Sequence, residues 1–185
     1  MSTQIRFAGV GSQGLVSASI ILAEALGIVR DYEVVQTQFY AASIQGGASC
    51  GDVIFGREKI VFPWVLAPDV MVALAQDAVR AHAPAMRPGS RVLVDDLMVT
   101  DTSPFGPEVA VHRAPLMAIA DELGVRKCTN IVALGAFAKL TGYLTLDEIG
   151  RAVASRAPGR PDINQEALRR GFNSRIESAR TPVLA

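Results

Sequence analysis

The stretch that most restricts what this chain can become is F-A-G-V-G-S-Q-G at residues 7–14. Gly9, Gly11 and Gly14 keep the spacing G-x-G-x-x-G, a turn that belongs between a strand and a helix. Gln4–Val10 before it is a short apolar run of strand type. Leu15–Leu26 after it is rich in alanine and aliphatic residues and long enough for a buried helix, with Gly27 as its stop. Glu33–Thr37 supplies a second strand and completes a β-α-β unit of about 35 residues. That order of elements points to the α/β class.

The rest of the chain continues the alternation. Gln38–Cys50, with small residues, a glycine pair and Tyr40, has loop composition. Gly51–Phe55 and Lys59–Val61 read as two short strands joined at Gly56-Arg57-Glu58. Asp69–Leu74 is a buried strand, Gln76–Ala83 a helix, Arg91–Val94 a strand ending on Asp95-Asp96, and Val109–His112 a last strand. Helices then follow over Pro115–Leu123, Thr129–Leu140, Thr145–Ser155 and Asn164–Ser178. T-L-D-E at Thr145 has the capping-box pattern, with Glu148 reaching back to the cap. The expected fold is α/β: a three-layer, mostly parallel Rossmann-like sheet with helices on both faces and a helical C-terminal part. At 185 residues it forms a single domain over residues 1–185. Half the residues are hydrophobic and only 19% are charged, which suits a buried sheet and a large subunit interface.

Composition also removes function classes. Eighteen basic and 18 acidic residues give a net charge of zero, with no footprint for nucleic acid or an anionic membrane. Cys50 and Cys128 form no C-x-x-C pattern, so neither an iron–sulfur cluster nor a structural zinc is expected on this chain. His82 and His112 add nothing to a metal site. Two free thiols fit a reducing cytoplasm. The N-terminus runs into a strand with no basic and apolar leader, so no secretion signal is expected. The longest apolar runs are too short to span a bilayer.

The glycine turn admits three readings. A dinucleotide site wants an acidic residue at the end of the second strand for NAD, or an arginine for NADP. That strand ends Val35-Gln36-Thr37-Gln38, and Glu33 starts it. The structural reading needs glycine for steric reasons alone. The intermediate reading keeps the anion-binding physics: free N–H groups at a helix N-terminus hold a phosphate or carboxylate, with the Ser12 hydroxyl and Gln13 amide adding bonds. No catalytic group is expected. Neither histidine has an evident nucleophile partner, and Asp95-Asp96 suits a turn or cap. The thiamine signature G-D-G is absent, since Gly51-Asp52 is followed by valine.

Several motifs, in order, resemble one family. Gly9-Val10-Gly11-Ser12-Gln13-Gly14 matches its opening G-x-G-G-Q-G with serine for one glycine. Phe39-Tyr40-Ala41-Ala42-Ser43-Ile44-Gln45-Gly46-Gly47 aligns with its S-Y-G-P-E-x-R-G-G loop. Pro68–Leu74 matches P-D-x-x-V-A-L, Asn130–Gly135 matches N-x-x-x-L-G, and Asn164–Gly171 matches N-x-x-A-x-x-x-G. The chain thus resembles the gamma subunit, or equivalent fused domain, of 2-oxoacid:acceptor oxidoreductases, from about residue 5 to 175.

That resemblance implies a subunit of an enzyme that oxidatively decarboxylates a 2-oxoacid to an acyl-CoA. Thiamine diphosphate with Mg would sit on alpha and beta partners, and 4Fe–4S clusters on a delta-type partner. Ferredoxin or an NAD-linked flavin subunit would take the electrons. The gamma chain would hold neither cofactor, packing on the alpha subunit and assisting coenzyme A binding. Gly11, Ser12, Gln13, Gly14, Tyr40, Gln45, Gly46 and Gly47 are then the candidate binding residues. Gln45 replaces the family's arginine and Ala41-Ala42-Ser43 its G-P-E, so this loop lacks two ionisable groups. A less polar loop suits an aromatic 2-oxoacid. The alternatives are a stand-alone NAD(P)-binding oxidoreductase and a coenzyme A- or nucleotide-binding regulator.

Overall fold

Short apolar runs flanked by turn formers organise the chain around one sheet. The computed structural model describes residues 2–40 and 48–180. Its strands are β1 (Thr3–Val10), β2 (Glu33–Tyr40), β3 (Ala48–Gly56), β4 (Val70–Ala73), β5 (Arg91–Asp95), β6 (Ala110–Ala114) and β7 (Glu177–Arg180). Its helices are α1 (Leu15–Glu24), α2 (Gln76–His82), α3 (Leu116–Glu122), α4 (Thr129–Thr141), α5 (Leu146–Arg156) and α6 (Pro161–Asn173). The strand order is β2-β3-β1-β4-β5-β6-β7. β1, β4, β5 and β6 pair in parallel, whereas β3 runs antiparallel to both β1 and β2, and β7 antiparallel to β6. The sheet is mixed, with most of its strands pointing one way.

The period-two pattern of the strands sorts side chains onto two faces. Ile5, Phe7, Val70, Val72 and Leu93 meet α1 and α3–α6 in the larger core. Ala8, Met71, Ala73, Val92 and Val94 meet α2 and the segment carrying Val99 and Phe105 on the other. Both faces are covered, as expected, but unequally. The Phe7 and Phe137 rings, 5.6 Å apart, tie the first strand to α4 inside the thicker layer.

Four local expectations are corrected. β2 does not lie beside β1 to close a β-α-β unit: β3 sits between them and bonds along the full length of both. The two ladders satisfy more backbone groups of this central strand than one parallel pairing would. Lys59–Val61 is not a strand, and residues 59–68 instead form an extended strap. The first helix does not stop at Gly27; it continues through a wider π-type turn over Ala25–Val29, and the chain reverses at Asp31, φ 56°. The last helix ends at Asn173, where Ser174 turns extended and its hydroxyl donates to the Gly171 carbonyl. The chain then adds β7 to the open edge of β6. The capping box forms as expected: Thr145 Oγ1 accepts from the Glu148 N–H, and a Glu148 carboxylate oxygen accepts from the Thr145 N–H at 2.7 Å.

Candidate functional site

Strand direction brings the glycine turn, the end of β2, the start of β3 and the end of β5 to one rim of the sheet. Carboxyl ends of parallel strands are where α/β domains place ligands.

Within the turn the residues divide by role. Gln13 is turned inward: its Oε1 accepts from the Val10 N–H at 2.9 Å and its Nε2 donates to the Leu74 carbonyl at 2.8 Å. It clamps the end of β1 to the end of β4, so its amide is not free for a ligand. Any side chain at Gly9 would run into that amide. Gly14 adopts the left-handed conformation, φ 69°, and its carbonyl accepts from Asn130 Nδ2 at 3.1 Å. A Cβ at Gly14 would lie 2.7 Å from that nitrogen. Gly11 and Ser12 are the residues the turn leaves outward, both exposed, with nothing within 4 Å of a Cβ at Gly11. No side chain caps α1 and no acid lies in its first turn. Its N-terminal dipole is therefore uncompensated among the described residues.

Tyr40 ends β2 opposite Ser49, on the same rim as Gly11. Gln45, Gly46 and Gly47 lie outside the described residues. The rim near the end of β2 carries exposed Gln38 and Phe39 and no carboxylate from that strand. β3, not β2, neighbours the turn strand, so the arrangement that grips an NAD ribose is not built.

The remaining reactive side chains are engaged structurally. Asp95 is fully buried and accepts from the N–H groups of Met117, Met98 and Leu97 at 2.7, 2.8 and 3.1 Å. Burial raises its carboxyl pKa, against those donors. It holds the turn after β5 onto the start of α3. Arg6 and Asp52 form a two-pronged ion pair across β1 and β3 at 2.7 and 2.8 Å, with His82 Nδ1 3.4 Å from the Arg6 guanidinium. Burial and then Arg6 lower the His82 pKa. Cys50 and Cys128 are buried free thiols, both raised by burial, so neither is a ready thiolate. No group of three or more His, Cys, Asp or Glu is placed to hold a metal among the described residues. Among the described residues no helix is long and apolar enough to cross a membrane.

Two further features lie beyond what residue patterns announce. α4 and α6 cross in near contact: a Cβ at Gly135 would collide with the Leu168 carbonyl, and one at Gly171 with the Val132 carbonyl. Those are the glycines that end N-x-x-x-L-G and N-x-x-A-x-x-x-G. The strap, meanwhile, presents Val61, Phe62, Trp64 and Leu66 outward, 87, 56, 55 and 67% exposed. Arg6 donates to the Val65 carbonyl, and the Leu66 and Ala67 N–H groups donate to Gln4 Oε1, so this apolar edge is anchored. Patches of this kind mark interaction surfaces.

The Rossmann-like domain thus combines an open glycine turn with an apolar anchored edge. Comparison with known proteins names the family. Residues 4–174 match the family model for pyruvate ferredoxin/flavodoxin oxidoreductase. The chain is 35% identical over 175 residues to the 2-oxoglutarate synthase subunit KorC of Methanocaldococcus jannaschii, covering 93% of each. It superposes on the gamma subunit of a keto/oxoacid ferredoxin oxidoreductase from Geobacter sulfurreducens with a TM-score of 0.83 at 32% identity, covering 94% of this chain and 95% of that one. It is also 35% identical over 149 residues to the ketoisovalerate oxidoreductase subunit VorA of Methanothermobacter thermautotrophicus, covering 78% of this chain and 29% of that longer one. The chain belongs to the pyruvate ferredoxin/flavodoxin oxidoreductase family, as a gamma-type subunit of a 2-oxoacid oxidoreductase.

Proposed function

We propose that this chain is the non-catalytic gamma subunit of a complex that converts a 2-oxoacid and coenzyme A to an acyl-CoA. The single observation that carries the reading is the open rim at Gly11 and Ser12, above an α1 N-terminus with neither cap nor acid. Backbone donors at a helix N-terminus suit an anion, and coenzyme A brings phosphates. Gly11, Ser12 and Gly14, with the end of β2 at Tyr40, border its approach, while Gln13 holds the turn in shape; Gln45, Gly46 and Gly47 stay candidates from the sequence resemblance alone. Thiamine diphosphate, Mg and 4Fe–4S clusters belong to alpha, beta and delta-type partners, with ferredoxin or an NAD-linked flavin subunit as acceptor. The strap from Val61 to Leu66 supports packing on the alpha subunit, and two buried free thiols support a cytoplasmic setting.

We assign 2-oxoglutarate as the substrate, because the KorC relative matches along nearly the whole chain. An aromatic 2-oxoacid rests on the neutral loop Ala41–Gln45 alone. The test is reconstitution with the partner subunits, followed by acceptor reduction with 2-oxoglutarate, pyruvate, ketoisovalerate, indolepyruvate and phenylglyoxylate. Gly11→Asp sets a carboxylate at the uncapped helix end and is expected to raise KM for coenzyme A with little change in kcat. An unchanged KM overturns the turn's role. Preference for an aromatic acid replaces the substrate assignment, and NAD binding by the isolated chain overturns the whole reading.

A further inference from the structure

Nearly every basic side chain in this protein is already spoken for. Arg6, Arg30, Arg80, Arg87, Arg126, Arg151, Arg156, Arg169, Arg170 and Arg175 pair with carboxylates. Arg91, Arg113 and Lys139 donate to carbonyls, and Arg57 lies over the Tyr32 ring. Among the described side chains, Lys59, Lys127 and Arg160 are left without a partner. Lys127 and Arg160 stand on the same groove.

That groove, about 640 Å³, runs along α1, past the start of α4, to the connection between α5 and α6. Its floor is apolar, from Ile20, Ile21 and Ile131, and its rim carries Ser17, Lys127 and Arg160. No carboxylate among the described residues lines it. A third cation, the Arg156 guanidinium, reaches the groove but is neutralised by Glu24. By contrast, the hollow between α5 and α6 sets Asp147, Asp162 and Glu166 beside Arg151 and Arg169 and presents no surplus positive charge. The volume falls within the range of small-molecule sites, which combine apolar walls with a few converging polar groups. Two unpaired cations over an apolar floor match a molecule with an anionic end and an apolar body, and the guanidinium fork fits phosphate oxygens two at a time.

We propose that this groove is a binding site for a phosphate-bearing small molecule, separate from the Gly11–Ser12 turn. Lys127 and Arg160 hold the phosphate, and Ile20 and Ile131 cover the apolar part. Two sources share that chemistry: coenzyme A, which would then span from rim to groove, and a free nucleotide acting as an effector.

Calorimetric titration of the full chain with ADP, coenzyme A and inorganic phosphate tests this, using wild type, Lys127→Gln/Arg160→Gln and Gly11→Asp. Both changed side chains of the double variant are exposed, so its melting temperature should match wild type. Binding of ADP or coenzyme A that weakens roughly tenfold or more in the double variant, the loss of at least one charge-assisted contact, supports the site. ADP binding without coenzyme A binding identifies a free nucleotide; coenzyme A binding weakened by both variants identifies the spanning case. Absence of binding by all three probes at millimolar concentration overturns the groove, as does affinity that survives the double substitution. Coenzyme A affinity lost in Gly11→Asp alone, with ADP binding untouched by the double substitution, overturns the groove and leaves the turn's role standing.

Discussion

Gln13 shows how a motif residue with ligand-like chemistry can be committed to the fold. Its amide presents an acceptor to the Val10 N–H and a donor to the Leu74 carbonyl, whereas a carboxylate can only accept. Gln13→Glu keeps the acceptor but sets a second oxygen against a carbonyl, so it should cost more than Gln13→Ala. Losses of about 2–3 and about 1–2 kcal/mol are expected by urea unfolding, since a buried group left unsatisfied is worse than one removed. At the same scale, both histidines set the acid side of stability. Burial and Arg6 lower His82, and burial and Arg91 lower His112. The unfolded chain protonates both near about 6.5, where the folded chain resists. Their contribution is thus present above that value and lost as pH falls through it towards the folded pKa values. The melting temperature should drop from about pH 7.5 to about 5.5, and drop less in His82→Gln. The glycine turn was legible from spacing alone, because its conformation is local. The inward turn of Gln13 was not, because Leu74 is brought to it by β4.

Elements were legible wherever local chemistry sets them. The capping box at Thr145 and the apolar runs of β1 and β4 are examples, each decided by neighbours in sequence. The insertion of β3 between β1 and β2 was not legible, because strand partners are chosen across the sheet and any apolar strand can take either side. Gly51 explains why this insertion packs: a Cβ there would lie 2.8 Å from the Leu15 carbonyl, so only glycine lets α1 sit down on β3. The α4–α6 crossing follows the same logic. Gly171→Ala sets a methyl against the Val132 backbone carbonyl, which cannot move aside as a side chain could. About 3 kcal/mol of destabilisation is expected, visible as a lower denaturant midpoint. An exposed change on α6 such as Arg169→Ala should stay within about 0.5 kcal/mol. A fall for Gly171→Ala no larger than that would show that the helices separate freely.

For the whole molecule, the low charge content finds its explanation in two places: a sheet covered on both faces and an anchored strap of exposed apolar residues. Phe62→Ser/Trp64→Ser should leave the isolated chain's melting temperature nearly unchanged, because both rings are more than half exposed. It should weaken co-elution with partner subunits by at least about tenfold if these rings are interface anchors. Retained co-elution would place the interface elsewhere. The family was readable from ordered motifs because most of them encode steric rules: glycine where a turn or a helix crossing admits no side chain, and asparagine where a carbonyl needs a donor. By itself the sequence determined the α/β class, the turn, the cap and the family, since these depend on residue type and short-range spacing. Only the tertiary structure decided that Gln13 faces inward while Gly11 and Ser12 face out. It also decided that β3 splits the first two strands and that Lys127 and Arg160 share a groove without a carboxylate. Those outcomes depend on which distant residues arrive beside one another, and distance along the chain carries no record of that.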